Sequence, residues 1–580
     1  MGTKELLNSA LKDRDSLLYR FRKTKDKELY SAFCKVRNKV QYLVKQAKKQ
    51  YFEEQVEINK NDSRKLWKSL KLLGYSSKVS NKIKIGLNVD EEICFDELTV
   101  ANKFNVFYTS VAAKLVDLLP NAFNIFNSDH VTKYYRDKGI KENSFSLHTI
   151  DKNTTLKYLK NIRNTKGVGI DNLPSRFLFD SSDVICDVIM YIVNLSIDTK
   201  TVPIIFKTAR VVPVYKKGCK YTEGNYRPVS LTCVLSKLLE KVIYDQLEEY
   251  LAVNEIIYEH QSGFRKKHST DSCLIHLTDF IKYYIGLGHY VGMVLMDLQK
   301  AFDTVDHQIL CQKLCAIGCD NNSVKWFSSY LNNREQMVDI NSVLSDKLEQ
   351  SCGVPQGSIL GPMLFLIYVN DMCSAINCKL SLYADDSALI VTGKNFLDVQ
   401  ESLTYELNNI KKWFVDNKLS LHLGKTESIL FASKKKLKLH SKLTITCDGV
   451  NIKSVTNVKY LGCYLDQALN GTVMVNNVLK KIQSRLKYLY RQCNFLPKDI
   501  KRTLSNSLIN CHFDYSSSAW YSSLPKNLKN KLQTSQNKIV RFILNADNRS
   551  HVGPEELDDM NWLDVHHRVC QLKLTKVHNI

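Results

Sequence analysis

At 580 residues the chain holds two to four domains' worth of polypeptide, with ample core. Its 82 Lys and Arg against 59 Asp and Glu give a formal net charge of +23, which points to a polyanion: nucleic acid or an anionic membrane surface. No apolar run reaches the roughly 18 residues of a bilayer span, and Met1-Gly2-Thr3-Lys4-Glu5 opens no signal-peptide core, so no membrane association is expected and the compartment reads as nucleus or cytoplasm.

The 17 cysteines are odd in number and scattered singly, without a Cys-x-x-Cys pair. Cys311, Cys315 and Cys319 recur every four residues, as on one helix face, but no second cluster completes four zinc ligands. Reduced thiols are expected.

Residues 1–75 read as basic and helical, with 19 Lys and Arg against 9 Asp and Glu. Tyr30, Phe33, Val36, Val40, Leu43, Ala47 and Tyr51 form one apolar stripe at three- to four-residue steps. A solvated charged face and a nucleic-acid contact are both open for the basic side. Asp62 or Ser63 can cap a short helix through Leu66, Trp67, Leu70 and Leu73 that Gly74 can end. Ala101 to Tyr108 reads as a helix with an aromatic face. Residues 120–150 read as loop and a boundary, and Lys166 to Pro174 as a glycine-bearing turn between helical segments.

Ala209 to Gly218 reads as strand then turn, and Gly224 to Leu231 as turn then strand. A hairpin with a Lys at one base (Lys216, or Lys217 one residue on) and Arg227 at the other is a clamp for a triphosphate: a point charge and a planar fork. Leu235 to Leu251 is an amphipathic helix, and Gln261 to Thr270 a polar, basic, glycine-bearing loop.

Val291 to Met296 is a short apolar run ending in Asp297, consistent with a buried strand. Gln350 to Pro362 is rich in Gly and Pro. Its glycines permit close backbone approach, to a base pair among other things, before a helix over Met363–Val369. Leu380 to Val391 places Asp385 and Asp386 between apolar flanks: strand, tight turn, strand, with the acids at the tip. Alone, such a turn is most often simply solvated. Between two buried strands, repelling carboxylates call for a divalent cation with hard oxygen ligands. Set beside Asp297 they would form a three-carboxylate pocket for two metals about 3.5–4 Å apart, the arrangement that clamps both oxygens of a phosphoryl displacement. A helix is expected around Val399–Trp413. A basic helix follows with Val478, Ile482, Leu486 and Leu489 on its apolar side, suited to duplex phosphates.

Asp297 with Ala301-Phe302-Asp303, the Tyr383-Ala384-Asp385-Asp386 run, Gln261-Ser262-Gly263-Phe264-Arg265 and Pro355-Gln356-Gly357 together resemble the motifs of reverse transcriptases, and more closely those of non-LTR (LINE-type, jockey-like) retrotransposons. The resemblance is strong over about residues 160–470. It implies an α/β right-hand polymerase with fingers, a palm on an antiparallel sheet and a helical thumb. The boundaries it implies are a basic helical N-terminal extension (1–150), a fingers extension (151–196), fingers and palm (197–466) and a helical thumb with a truncated C-terminal region (467–580).

On this resemblance Asp297, Asp385, Asp386 and the carbonyl of Leu298 hold two Mg²⁺ ions, with Mn²⁺ an alternative. Lys216 and Arg227 grip the dNTP. Phe302 excludes a ribose 2′-hydroxyl, and Gln356 lies at the incoming nucleotide. Lys425 matches the lysine proposed to protonate leaving pyrophosphate, although His422 stands where the family usually has Asn. Gln261, Gly263, Arg265, Gly353, Pro355, Gly357, Tyr383 and the primer-grip turn Leu461-Gly462 fall near template and primer. The implied partners are an RNA template, a DNA primer or target DNA, and dNTPs. Elements of this kind also encode an endonuclease; residues 1–150 show no acid, Asn and His constellation for it, as a truncated copy would. A catalytically inactive RNA-binding relic of a retroelement, an RNA-directed RNA polymerase and an intron-encoded splicing factor are the other readings.

Overall fold

The computed structural model describes residues 3–59, 62, 65, 68, 85–119, 126–162 and 167–578. Ser63, Leu66, Trp67, Leu70, Leu73, Gly74 and Lys166, named above, lie outside them. The chain divides into two compact units, Met1–Asn81 with Asn470–Ile580, and Lys82–Leu469. This division does not follow the boundaries read from the sequence: residues 82–150 belong to the second unit, not with the N-terminal helices. Long-range packing decides that membership, and no local pattern announces it.

The first unit is helical. Helices Thr3–Thr24 and Lys27–Ile58 pack on each other, joined at Lys25 and capped by Asp26, whose carboxylate accepts the Glu28 N–H. Val40 of the expected stripe is buried, while Tyr30 and Tyr51 stay exposed. Helix Thr472–Cys493 buries Val478, Ile482, Leu486 and Leu489, and it packs on helix Lys526–Leu544.

Among the described residues the second unit carries every strand: β1 (Leu87–Val89), β2 (Glu92–Cys94), β3 (Thr208–Tyr215), β4 (Tyr226–Leu231), β5 (Tyr290–Met296), β6 (Arg334–Ile340), β7 (Val343–Leu344), β8 (Leu348–Gln350), β9 (Lys379–Tyr383), β10 (Asp386–Gly393), β11 (Glu427–Phe431), β12 (Ile445–Cys447), β13 (Val450–Ser454), β14 (Asn457–Tyr460) and β15 (Cys463–Asp466). A six-stranded sheet runs β12-β13-β11-β5-β10-β9. It is antiparallel except for β11 and β13, which run parallel because helix Lys434–Leu439 and β12 carry the chain over between them. The sheet is thus mixed rather than antiparallel throughout. A second sheet has the order β4-β3-β6-β7, with β8 also on β6, and β3 runs parallel to β6.

β5 sits at the centre of its sheet because it is apolar on both faces. Gly292 lets helix Phe396–Asp416 lie directly on it: a Cβ there would strike Leu403 and Val399. Lys313 and Asp371 form a fully buried ion pair at 2.5 Å in the same core, and the Trp413 indole N–H donates to Asp371 at 2.9 Å.

Two expectations need correction. Helix Ser128–Asp137 occupies the stretch read as loop; it buries only Val131 and Tyr135, too few for a readable period. Cys319 does not share a helix face with Cys311 and Cys315, because helix His307–Ala316 has ended and Gly318 follows at φ +100°. Among the described residues no helix is long and apolar enough to cross a membrane.

Candidate active site

The last ladder pair between β5 and β10 is Met296 with Ser387, so the next positions on the two strands are Asp297 and Asp386. Tyr383 pairs with Asp386, which leaves Ala384 and Asp385 as the two-residue hairpin tip. The three acids therefore come to one end of the central sheet. Burial raises the Asp385 carboxyl above the usual carboxylate range. Asp386 is pushed to about 6, first by burial and then by the charges of Asp385 and Asp297.

The tip is strained: Ala384 has φ +57°, a region costly for a residue with a Cβ. Gln261 holds it. Residues 260–262 pair along the edge of β9, with the Ser262 N–H donating to the Leu382 carbonyl at 2.9 Å and the Leu382 N–H to the His260 carbonyl at 3.0 Å. The Gln261 side-chain oxygen then accepts the N–H of Ala384 at 2.9 Å and of Gly263 at 2.8 Å. Gly263 packs so closely that a Cβ would collide with the Ala384 backbone. Gln261, expected near template, is 2% exposed, with its side-chain oxygen committed to the hairpin tip. Arg265 likewise donates to the carbonyls of Tyr258 (3.2 Å) and Gln261 (3.0 Å).

On the other side of Asp297, the chain pairs with residues 420–422. Leu298 bridges Leu421, and the His422 N–H donates to the Asp297 carbonyl at 2.8 Å. This brings the Lys425 ammonium to 3.4 Å from the Asp297 carboxylate.

The β3–β4 hairpin supplies the cations. Arg227 is paired with Val214, and the Lys216 N–H donates to the Asn225 carbonyl at 2.9 Å, so both side chains leave the same end. Lys216 is lowered by burial first and Arg227 second, and both cations act on Asp385 and Asp386 electrostatically. The Ser230 N–H donates to the Gln356 carbonyl at 2.8 Å, which ties this hairpin to the Pro355-Gln356-Gly357 loop. Gly357 (φ +130°) meets the Ser230 carbonyl, and Gly353 (φ +85°) the Asp303 backbone, where no side chain fits. Pro355 is buried between them.

Phe302 stacks on Phe365 with centroids 4.3 Å apart and meets the edge of Phe264. The Gln356 amide donates to Asp303 at 2.7 Å. Asp303 received no role from sequence; its buried carboxylate fixes Gln356, and its place in Ala301-Phe302-Asp303 was the available signal. Glu240, read only as part of a packing helix, accepts the N–H groups of Ile359 (2.5 Å) and Leu360 (3.3 Å). It caps helix Leu360–Val369 alongside the Ser358 hydroxyl, which accepts the Gly361 N–H at 2.9 Å, and nothing local predicts the part Glu240 takes. The Leu461-Gly462 turn joins β14 to β15, both residues at positive φ.

Among the described residues, no group of three or more His, Cys, Asp or Glu side chains is gathered closely enough to hold an ion. The three acids are thus neighbours without forming the cage expected from sequence, and Lys425 engages one of them. The donor chemistry still suits a hard cation: carboxylates only, two of them disfavoured in ionised form until a positive charge arrives.

Residues 214–465 match the family described as reverse transcriptase (RNA-dependent DNA polymerase). Those residues form a reverse transcriptase domain, and with it a polymerase fold of mixed helix and sheet. The chain is similar to a probable RNA-directed DNA polymerase from transposon BS of Drosophila melanogaster: 28% identity over 66% of this chain and 43% of the relative. It is similar to the RNA-directed DNA polymerase from mobile element jockey of the same fly at 26%, over 66% and 42%. The corresponding protein from transposon X-element matches at 24%, over 63% and 42%. The chain spans less than half the length of these relatives.

Proposed function

We propose that this chain is an RNA-directed DNA polymerase that extends a DNA primer along an RNA template with dNTPs. The observation that carries the reading is the meeting of Asp297, Asp385 and Asp386 at one sheet end, within electrostatic reach of Lys216 and Arg227. The reverse transcriptase family match over the same stretch supports it.

The three carboxylates, with the Leu298 carbonyl, would hold divalent ions of the kind this family generally uses, two Mg²⁺ or Mn²⁺. Such ions lower the pKa of the primer 3′-hydroxyl and neutralise the triphosphate. Lys216 and Arg227 orient the phosphates. The Phe302 ring, backed by Phe365, occupies the space a ribose 2′-hydroxyl needs. Gln356, fixed by Asp303, borders the incoming base pair. Lys425 leaves Asp297 and gives a proton to pyrophosphate. Arg265, Gly353, Pro355, Gly357, Tyr383 and the Leu461-Gly462 turn shape the template and primer path, Gln261 and Gly263 through the hairpin. Residues 151–196 extend the fingers, and the basic helix Thr472–Cys493 acts as thumb.

Primer extension tests the reading. Purified chain, an RNA template and an annealed DNA oligonucleotide should give Mg²⁺-dependent product with dNTPs and far less with NTPs. No product with either metal would overturn it. A second reading, a palm that retains nucleic acid without chemistry, requires template retention with no extension.

A further inference from the structure

The central sheet has two ends, and the three acids occupy one of them. At the other, Gly288 leads into β5 and Lys394 follows β10. β5 runs from Tyr290 to Met296, so the two ends lie about 20 Å apart at roughly 3.4 Å per residue. Helix Lys434–Leu439, which carries the chain from β11 to β12, sits at this far end. The Ser433 hydroxyl caps it by accepting the Lys436 N–H. The Lys436 ammonium donates to the carbonyls of Gly288 and Lys394 and lies 4.2 Å from the centre of the Tyr290 ring. Just past the helix, His440 stacks on Phe396 at 4.3 Å with the rings nearly parallel. Both ends of the helix are therefore fixed to the sheet.

The segment held in this way is a cationic platform. From Ser428 to Cys447 the chain has five lysines and no Asp or Glu. Lys434, Lys435, Lys438 and Lys442 are exposed, and so is Lys394 on the loop that Lys436 holds. Among the described residues none of these five is in an ion pair, whereas Lys411, Lys418 and Lys453 of the same unit pair with Asp448, Asp306 and Glu427. Asp398, the nearest acid along the chain to Lys394, is taken by the Asn395 amide at 3.0 Å. An ordinary lysine run is a solvated face. Charge gathered without acids on a fixed support calls for a polyanion.

The side chains narrow the choice of polyanion. Ammonium groups are point charges that neutralise phosphates without reading bases. Single strands are held by rings that stack on their bases, and the only ring from Lys434 to Lys442 is His440, already stacked. Duplex RNA is recognised in part through its 2′-hydroxyls, to which ammonium groups offer no acceptor. We propose that Lys394, Lys434, Lys435, Lys438 and Lys442 form a second nucleic-acid surface, which binds duplex DNA by its phosphates at the end of the sheet away from the acids. The surface does not depend on those acids and stands whether or not the chain polymerises.

The test uses the full chain and a fluorescent blunt-ended duplex DNA, with anisotropy read across a salt series and no dNTPs. Lys434→Gln, Lys435→Gln and Lys438→Gln are combined in one variant. It should bind the duplex roughly tenfold or more weakly, and the slope of log Kd against log salt should fall by about 2–3, near 0.9 for each lost phosphate contact. Arg at the same three positions should restore both. A control that combines Lys133→Gln, Lys157→Gln and Lys325→Gln removes equal charge from other exposed positions of the unit and should stay within about threefold of wild type. Binding of a duplex RNA of the same sequence should weaken less than that of the DNA. A Gln variant that binds DNA as the control does, or an Arg version as weak as the Gln one, would overturn the proposal. An equal loss for duplex RNA would overturn the assignment to DNA.

Discussion

The Gln261 side-chain oxygen accepts the Ala384 N–H at 2.9 Å, so a residue more than a hundred positions upstream fixes the tip that carries Asp385 and Asp386. Gln261→Met keeps the length and removes the acceptor. Amide hydrogen exchange at Ala384 and Gly263 should accelerate, and kcat should fall roughly ten- to a hundredfold with the dNTP KM nearly unchanged, since misplacing a catalytic group by about 1 Å costs up to about a hundredfold. Gln261→Glu, which still accepts both N–H groups, should restore the exchange protection.

Asp385→Asn removes one charge from the tip without changing its shape. Extension should be abolished while RNA retention on a filter stays close to wild type. Loss of both would make the acid structural.

Phe302→Ala removes a ring stacked on Phe365. Incorporation of NTPs relative to dNTPs should rise at least tenfold. Melting should also show a loss of about 2 kcal/mol, below the full-burial range because the ring is only half-buried.

Lys216→Ala removes a point charge from the phosphate clamp. The dNTP KM should rise roughly ten- to a hundredfold, the usual worth of a charged hydrogen bond, with smaller change in kcat.

Asp386 titrates near 6 in the folded chain against an ordinary 3.8, so between those values the folded state binds the extra proton. Stability without metal therefore falls as pH rises from 4 to 6 and recovers on acidification. In EDTA at pH 7.5, Asp386→Asn should melt above wild type, by about 1 kcal/mol at most because the residue keeps solvent contact. The gap should close near pH 4. A gap that widens on acidification would reverse the assigned sign.

The acid-bearing strands were legible because their apolar runs are short, continuous and end on the charge: β5 at Asp297 and the β9–β10 hairpin at Asp385-Asp386. The β3–β4 hairpin was legible from its turns. Other features depend on partners distant in sequence. Glu240 has meaning only beside the N–H groups of Ile359 and Leu360, and Gln261 only beside Ala384. Arg265 looks like a free cation until the carbonyls of Tyr258 and Gln261 take its donors. The helix at Ser128–Asp137 hides because two buried residues make no period.

One consequence follows from the bond between Ser230 and Gln356. Backbone hydrogen bonds are stiff, and Gly357 is wedged against the same carbonyl-bearing residue. The strand bearing Arg227 cannot swing without dragging the loop bearing Gln356. If Arg227 grips a triphosphate and Gln356 borders the base, as proposed, grasping the one end and inspecting the other are joined as a single lever.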